Sequence, residues 1–474
     1  QAAQPQGSCS DSSLEAFLQN RTNALLAKCF PSATAPLRPL RVLVITGLES
    51  LQLRSQQYTA VTGIPVNVQS VSYFSLSSAI RKQASAQASG TDSPAQGYDV
   101  VMFSSLMMGD IASSGALVDL APYISNDTDQ VAAWSDIPPY YTMSSMYKEQ
   151  VMGVPFAQSV LMMYVNWPLL SSMYNISRPS LTEFERLSFY PDTWQELAAV
   201  MRQVNATASD PVMGMPRHAL CMPLGVDSGF LFIAVLASIM QTGGTSQGWL
   251  YDPLTLEPLT NNTAMLKALE IMWELSPFLR SSDRTSIVDM SQCAIALSPA
   301  SLFKSLHPLY SNAQFMGQLT MSPLPASTEV LDRSTMQLVP CTAQLCNSQR
   351  ATELGGQLVN LAPAPYQFAY ILLGMGSLVP AKLRKAVYNL IAYIGSPAMS
   401  QGYSTALEQV LKLPTVAADF RVADSLGPLY YAQSALFNLI GCSSPWVPRS
   451  AGSPADFATA MTSMTSGLRA VDQH

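Results

Sequence analysis

Charge is what this sequence has least of. Asp, Glu, Lys and Arg make up 12% of its 474 residues, about half the share of an ordinary soluble domain. The net charge is −6, and no cluster of Lys or Arg offers a surface to phosphates, so nucleic acid is not an expected partner. Histidine is scarcer still. His218, His307 and His474 are the three present; none is paired at i+4 or set among cysteines, so neither a metal site nor a cofactor is expected. Long hydrophobic runs are missing too. The longest, Phe230–Met240 and Phe368–Val379, fall well short of the roughly 20 apolar residues of a spanning helix. They read as buried core elements, and no membrane span is expected in this chain. The chain opens on Gln1 in a polar stretch with no signal peptide, as a processed secreted protein does.

Catalytic patterns fail on a missing partner. Ser301-Leu-Phe-Lys304 has the S-x-x-K spacing without the companion motifs that chemistry needs; a Ser-Pro-Ala-Ser run before an apolar stretch is a routine helix start. Gly225-Val-Asp-Ser-Gly229 is not a nucleophile elbow and reads as a loop leading into a helix. Gly374-Met-Gly376 has no third glycine at dinucleotide-binding spacing. No pair of carboxylates is recognisable. The expectation is a binding protein without catalytic residues.

What is present is length and a large apolar fraction. At 474 residues, 48% of them hydrophobic, the chain exceeds what one core usually supports, so two lobes are the default. Seven cysteines suggest an oxidising compartment. Cys341 and Cys346 are spaced to close a small loop, Cys9 and Cys29 flank one amphipathic segment, and Cys221 and Cys293 then form a long-range pair that leaves Cys442 odd. The alternative is that several are small buried apolar residues. Glycosylation sequons begin at Asn20, Asn126, Asn175, Asn205 and Asn261, which points the same way, to a eukaryotic secretory route and an extracellular or cell-surface location.

Periodicity sets out the elements. Residues 11–30 read as an amphipathic helix and Pro31–Pro39 as a Pro-rich linker. Leu40–Ile45, Val66–Val71 and Tyr98–Phe103 read as strands separated by helices over 50–61 and 74–88. Helices are expected after Pro191-Asp-Thr-Trp194, which carries a cap and a first-turn Glu, and over 228–240, 263–275 and 380–394. Residues 325–366 are long, polar and punctuated by proline. Strands alternating with helices make this an α/β protein with mostly parallel sheets. Ligands in such sheets bind beyond the carboxyl ends of the strands, where strand order reverses. The loops after Ile45 and Phe103 are therefore the first candidates.

The segments, in this order, resemble the family 1 extracellular solute-binding proteins, the maltose-binding-protein-like receptors of ABC importers. The resemblance rests on Tyr58-Thr-Ala-Val-Thr-Gly-Ile-Pro-Val66, on Tyr98-Asp-Val-Val-Met-Phe103 with Gly115-Ala-Leu-Val-Asp-Leu120, and on Tyr147–Pro155 followed by Tyr164-Val-Asn166. It continues in Pro191-Asp-Thr-Trp194, Met321-Ser-Pro-Leu-Pro325, Ser396-Pro397 and Pro445-Trp-Val-Pro-Arg449. It implies a two-lobed periplasmic-binding type II fold. One lobe takes 41–156 and 367–411, the other 157–325 and 412–474, after an N-terminal helix and linker over 1–40. The family's Gly-Gly-Trp strand has two counterparts here, Gly355-Gly-Gln357 or Leu373-Gly-Met-Gly-Ser377; the second is preferred because a helix follows it directly. That makes 326–366 an insertion with a disulfide, similar to green-algal relatives in which the module resembles receptor ectodomains. The position-1 cysteine of a bacterial lipoprotein is absent.

The same resemblance implies the ligand contacts. Glu49 and Ser50 follow the first strand, Ser104 and Ser105 the third. Gln158 and Ser159 follow the crossover between lobes, Asp227 precedes a helix, Ser298 and Ser301 follow Cys-Ala-Ile-Ala-Leu297, and Gly374 and Met375 come last. Tyr73, Tyr164 and Trp249 are candidate stacking platforms, each with a core role as its alternative. Lys and Arg are scarce near these positions, which favours a neutral sugar, polyol or peptide-like solute over an anion. The implied function is a clamshell that closes on a small solute as the sensing ectodomain of a membrane receptor. The alternatives are the delivery subunit of a transporter, and a cell-surface structural protein that kept the fold without the ligand.

Overall fold

A computed structural model of the chain describes residues 38–46, 50–88, 97–137, 139–157, 161–177, 190–207, 218–223, 226–243, 247–248, 251–252, 255, 257–282, 293–299, 319–346, 351–362 and 371–396. These divide into two compact units, with the chain passing from the first to the second near residue 158 and back near residue 370. The expected helix at 11–30, Cys9, Cys29, Asn20 and Cys442 lie outside the described residues.

The first unit opens with β1 (Leu40–Ile45), α1 (Ser50–Thr62), β2 (Val66–Val71), α2 (Tyr73–Ala88) and β3 (Val100–Ser104), followed by α3 (Met108–Ser113), β4 (Leu117–Val118) and β5 (Val154–Ala157). The second unit runs through β6 (Leu161–Asn166), α4 (Trp167–Tyr174), α5 (Trp194–Thr207), β7 (His218–Pro223), α6 (Val226–Met240), α7 (Thr263–Leu275), β8 (Leu279–Ser282), β9 (Cys293–Pro299) and β10 (Leu319–Ser322). It ends in two hairpins, β11 (Glu329–Asp332) with β12 (Gln337–Pro340) and β13 (Ala351–Leu354) with β14 (Gln357–Asn360). The chain then re-enters the first unit as β15 (Ile371–Gly376) and α8 (Ala381–Ile394).

The first sheet has the order β2-β1-β3-β15-β4, with β5 also paired to β15. β1 is parallel to β2 and β3, whereas β15 runs antiparallel to β3, β4 and β5. Burial follows position. β1 and β3 are interior and carry near-continuous apolar runs, LRVLVI and VVMFS, buried along their length except at Arg41, as strands covered on both faces require. β2 is the edge strand and alternates polar with apolar residues. The second sheet has the order β8-β7-β9-β6-β10. Its parallel trio β8-β7-β9 repeats the second-first-third order of β2-β1-β3, and β6 runs antiparallel beside β9 as β15 does beside β3.

Specific polar bonds tie these layers. At the amino edge of the first sheet Asp99 is buried and accepts two bonds from the Arg38 guanidinium, at 2.6 and 2.7 Å, and one from the Arg41 backbone N–H at 2.8 Å. A fork-to-fork ion pair of this kind fixes orientation as well as distance; β3 begins at Val100, two residues after the expected Tyr98. The buried Arg54 of α1 donates to the carbonyl of Ile394, the last residue of α8, at 2.6 Å, with its guanidinium 4.9 Å from the Phe156 ring centroid. A cation there meets the negative end of the helix dipole.

In the second unit α5 starts on a capping box: Thr193 Oγ1 accepts from Glu196 N–H at 3.2 Å while Glu196 Oε2 accepts from the N–H groups of Asp192 and Thr193 at 2.7 and 3.2 Å. Trp194, fully buried, donates through Nε1 to Ser238 Oγ on α6 at 3.1 Å. α6 is apolar all round and buried from Leu231 onward, so its last carbonyls need partners from the protein. Asn360, at the end of β14, donates to Ser238 O at 2.6 Å and Gln241 O at 3.2 Å. Arg333, in the turn between β11 and β12, donates to Met240 O at 3.3 Å and to Gly248 O. The segment expected as a polar, Pro-punctuated insertion is thus folded as two hairpins that cap a core helix. Gly355 and Gly356 form the β13–β14 turn with φ of +57° and +82°, a conformation that favours glycine, while the preferred counterpart, Leu373–Gly376, lies in β15 directly before α8. Cys221–Cys293 links β7 to β9, the long-range pair expected once the others are set aside, and Cys341–Cys346 closes the short loop after β12, as its spacing suggested.

Two predictions test this packing. Asn360→Ala removes both donors to the α6 terminus and strands buried carbonyls, costing about 1–3 kcal/mol. A denaturant melt of the variant that superimposes on the parent's contradicts the capping role. Gly374 of β15 has no room for a side chain: a Cβ there meets Met152 O at 2.7 Å and Phe103 Cε1 at 2.9 Å. Gly374→Ala is expected to destabilise by about 1–3 kcal/mol through overpacking, read by the same melt.

Candidate functional site

Within the first unit, the crossover from β1 to β2 goes one way and the next, from β2 to β3, returns across β1, so strand order reverses between β1 and β3. Their carboxyl ends form the crevice where α/β sheets bind ligands. Described residues at that edge are Thr46 after β1, Ser72 and Tyr73 after β2, and Ser104 and Ser105 at the end of β3. Thr46 is exposed and its N–H donates to Val71 O at 2.8 Å. Ser72 caps α2, its Oγ accepting from Ser75 N–H at 3.2 Å. Tyr73 is half-buried in the first turn of α2.

Ser104 and Ser105 are both buried. They differ in one respect: Ser105 Oγ is buried and has no hydrogen-bond partner in the protein. A buried hydroxyl left so costs about 1–3 kcal/mol, and such groups call for a specific explanation. At the carboxyl end of a central strand, a ligand polar group is the natural one. Nearby, Asp110 of α3 is buried but engaged, accepting from Ser77 Oγ and lying 3.1 Å from Arg81 Nη1. Among the described residues at this edge none is basic. Arg54, one turn along α1, is committed to the end of α8.

The second unit repeats the arrangement. Ser298 and Pro299 end β9, paired in register with Met162 and Leu161 at the start of β6, and Ser298 is buried. Pro223 ends β7, and α6 starts three residues later with Asp227 in its first turn. Ser282 ends β8 beside Pro223. Helix N-termini at strand carboxyl ends (α1 and α2 in the first unit, α6 in the second) present backbone N–H donors to the same edges.

The sequence-derived candidates therefore separate. Tyr73, Ser104 and Ser105 share the edge of one sheet, with Ser50 opening α1 after the loop from β1; Ser298 stands at the edge of the other, with Asp227 in the first turn of α6. Tyr164 is fully buried in the middle of β6, opposite Ala296 and Met321. Gly374 and Met375 pair with Val101 and Val100, several residues in from the edge, and their packing accounts for them. Glu49, Gln158, Ser159, Trp249 and Ser301 lie outside the described residues. Thr46 and Ser282 were not singled out from the sequence; the signal for both is simply that each stands at the carboxyl end of a parallel strand. Of the sequon asparagines, Asn126, Asn175 and Asn261 are exposed, and Asn205 lies on α5.

The other buried carboxylates have structural partners: Asp99 holds Arg38 and Arg41, and Asp192 Oδ1 accepts from Tyr190 N–H at 3.2 Å. Among the described residues no group of three His, Cys, Asp or Glu is placed to hold a metal ion, and no helix is long and apolar enough to cross a membrane.

Residues 46–220 match the family model described as bacterial extracellular solute-binding protein. No curated protein matches the sequence. Among solved structures, an ABC transporter solute-binding protein from Agrobacterium radiobacter K84 in complex with ribitol superimposes with a TM-score of 0.59 at 14% identity, covering 91% of this chain and 96% of that one. The GacH receptor of Streptomyces glaucescens, solved unliganded and with acarbose, gives 0.56 at 16% identity over 91% and 93%. Maltose-bound MalE3 of T. maritima gives 0.58 at 13% identity over 91% and 94%. In sequence over residues 46–220, and in the two-lobed periplasmic-binding fold over nearly the whole length, the chain is thus similar to the bacterial extracellular solute-binding proteins, which bind solutes rather than transform them.

Proposed function

We propose that this protein captures a small, neutral, hydroxyl-rich solute, a sugar or polyol, outside the cell. The carrying observation is the buried, unpartnered hydroxyl of Ser105 at the carboxyl end of β3, at an edge that carries serine, threonine and tyrosine and whose neighbouring cations, Arg81 and Arg54, are committed to Asp110 and to the end of α8. A hydroxyl both donates and accepts, as do the groups of a polyol. An anion would instead call for Lys or Arg. The similar structures hold ribitol, acarbose and maltose, all polyhydroxylated, which supports the same class here.

Ligand capture of this kind serves either a transporter or a receptor. The sensing ectodomain of a membrane receptor is favoured, because the Cys221–Cys293 bridge and the exposed sequon asparagines suit a eukaryotic secretory compartment. Solute delivery to an importer is the alternative. The sequence of the complete transcript decides between them: a membrane span and signalling domain encoded downstream support the receptor, and a separate permease gene supports the importer.

Titration calorimetry of the whole chain against maltose, ribitol and related polyols, with phosphate and dicarboxylates as contrasts, tests the ligand class. Binding to hydroxyl-rich neutral compounds is expected. Tight binding to an anion with none to any neutral compound overturns it. Ser105→Ala is expected to weaken the binding about fivefold, the equivalent of a neutral hydrogen bond of about 1 kcal/mol, while leaving the thermal midpoint unchanged or raised. Unaltered affinity removes Ser105 from the site.

A further inference from the structure

The asparagines of this chain fall into two populations. Fourteen are present, five of them the first residue of an Asn-x-Ser/Thr triplet. Among the other described asparagines, most serve the fold. Asn166 is buried and accepts from Leu169 N–H at 3.2 Å at the start of α4. Asn262 is half-buried and accepts from Met265 N–H at 2.9 Å at the start of α7. Asn360 is buried and caps α6. Of the triplet-opening asparagines, all three whose side chains are described, Asn126, Asn175 and Asn261, are exposed. Each stands at a helix boundary: Asn126 follows the short helix Ala121–Ser125, Asn175 ends α4 with φ of +54°, and Asn261 precedes the cap of α7.

We propose that the protein carries N-linked glycans at Asn126, Asn175 and Asn261. The donor is an oligosaccharide on a lipid pyrophosphate. The side-chain Nδ2 bonds to the anomeric carbon of the first sugar, the bond from that carbon to the pyrophosphate oxygen breaks, the lipid pyrophosphate leaves with the electron pair, and Nδ2 gives up one proton. A glycan is bulky and strongly solvated, so it needs an exposed attachment point, and all three sites supply one. At Asn126 the amide donates to Pro122 O at 2.7 Å; the glycosylated amide keeps one N–H, so this bond survives. The hydroxyl residues of the triplets fit as well. Thr128 and Ser177 are exposed, and Thr263 Oγ1 donates to Met336 O at 3.1 Å without either group being buried.

Asn261 has a further consequence. α7 turns Ala264, Ala268, Ile271, Met272 and Leu275 into the core and leaves Leu266 and Trp273 on the surface, 61% and 44% exposed, with Met336 also exposed. A hydrated glycan rooted next to the start of this stripe opposes self-association through it. Asn67 is an internal control. It is exposed on β2, yet Gln69 occupies the hydroxyl position, so it stays bare.

The proposal does not depend on the ligand. Protein isolated from its natural source is treated with peptide N-glycosidase in H₂¹⁸O and its peptides are sequenced by mass spectrometry. Conversion of Asn126, Asn175 and Asn261 to ¹⁸O-labelled Asp, with Asn67 unchanged, is expected. Recovery of all three peptides as unmodified Asn before enzyme treatment overturns the proposal. In a secreting eukaryotic host, Asn126→Gln, Asn175→Gln and Asn261→Gln should each remove one step of glycan mass on a gel, and Asn67→Gln none. Identical mobility of all four variants and the parent also overturns it.

Discussion

Each sheet is completed by a strand that arrives from the other unit, and this constraint organises the molecule. β15 comes to β3 after the long second-unit segment 159–369, and β6 comes to β9 directly after the first-unit segment that ends at residue 158. Because both are antiparallel to their neighbours, both begin at the carboxyl ends of the parallel strands, Ile371 beside Ser104 and Leu161 beside Pro299. In each sheet, then, the antiparallel strand starts at the edge where the parallel strands end. The amino edge is closed by bonds such as the Arg38–Asp99 pair, whereas the carboxyl edge keeps a buried hydroxyl in reserve. The two edges of the sheet thus differ in how their polar groups are satisfied.

The buried ends of α6 and α8 follow one logic. A helix that ends inside the protein must find donors for its last carbonyls, and this chain supplies them from distant residues: Arg54 for α8, Asn360 and Arg333 for α6. With so few charged residues, those that are buried are spent inside the fold, Arg54 on a backbone carbonyl and Asp99 and Asp110 on the Arg38 and Arg81 guanidinium groups. That leaves little cationic density for an anionic ligand, so the low charge of the composition and the neutral character of the proposed solute have a common origin.

The parallel strands of the first sheet were legible because β1 and β3 are covered on both faces and read as unbroken apolar runs, and because β2, at an edge, alternates; the parallel trio of the second sheet was not read as strands. Helices with a cap or a proline at the start, α5 and α8, were legible by chemistry alone. The hairpins of 329–360 were not. Their strands are four residues each, and their apolar positions are divided between small clusters of their own and two helices, α6 and α7, so neither period nor length stands out, and proline suggested a loop. The candidate site was legible only as position: standing after a strand places Ser104, Ser105 and Ser298 at strand carboxyl ends without any knowledge of partners. The packing around Tyr164, Gly374 and Met375 was not legible, because the sequence does not display Met152 or Phe103 as the neighbours of Gly374.

The late arrival of β15 bears on how the chain is made. A ribosome releases β1, β2 and β3 first, but the strand that lies against β3 emerges only after more than half of the chain has been added. Until then β3 has an unpaired flank of buried-type residues, the kind of open edge that invites pairing with another chain. The first unit cannot mature in the order of synthesis, and the slow closure of so long a loop makes protection of that flank, by a chaperone or by rapid folding of the second unit, a condition of producing the protein at all.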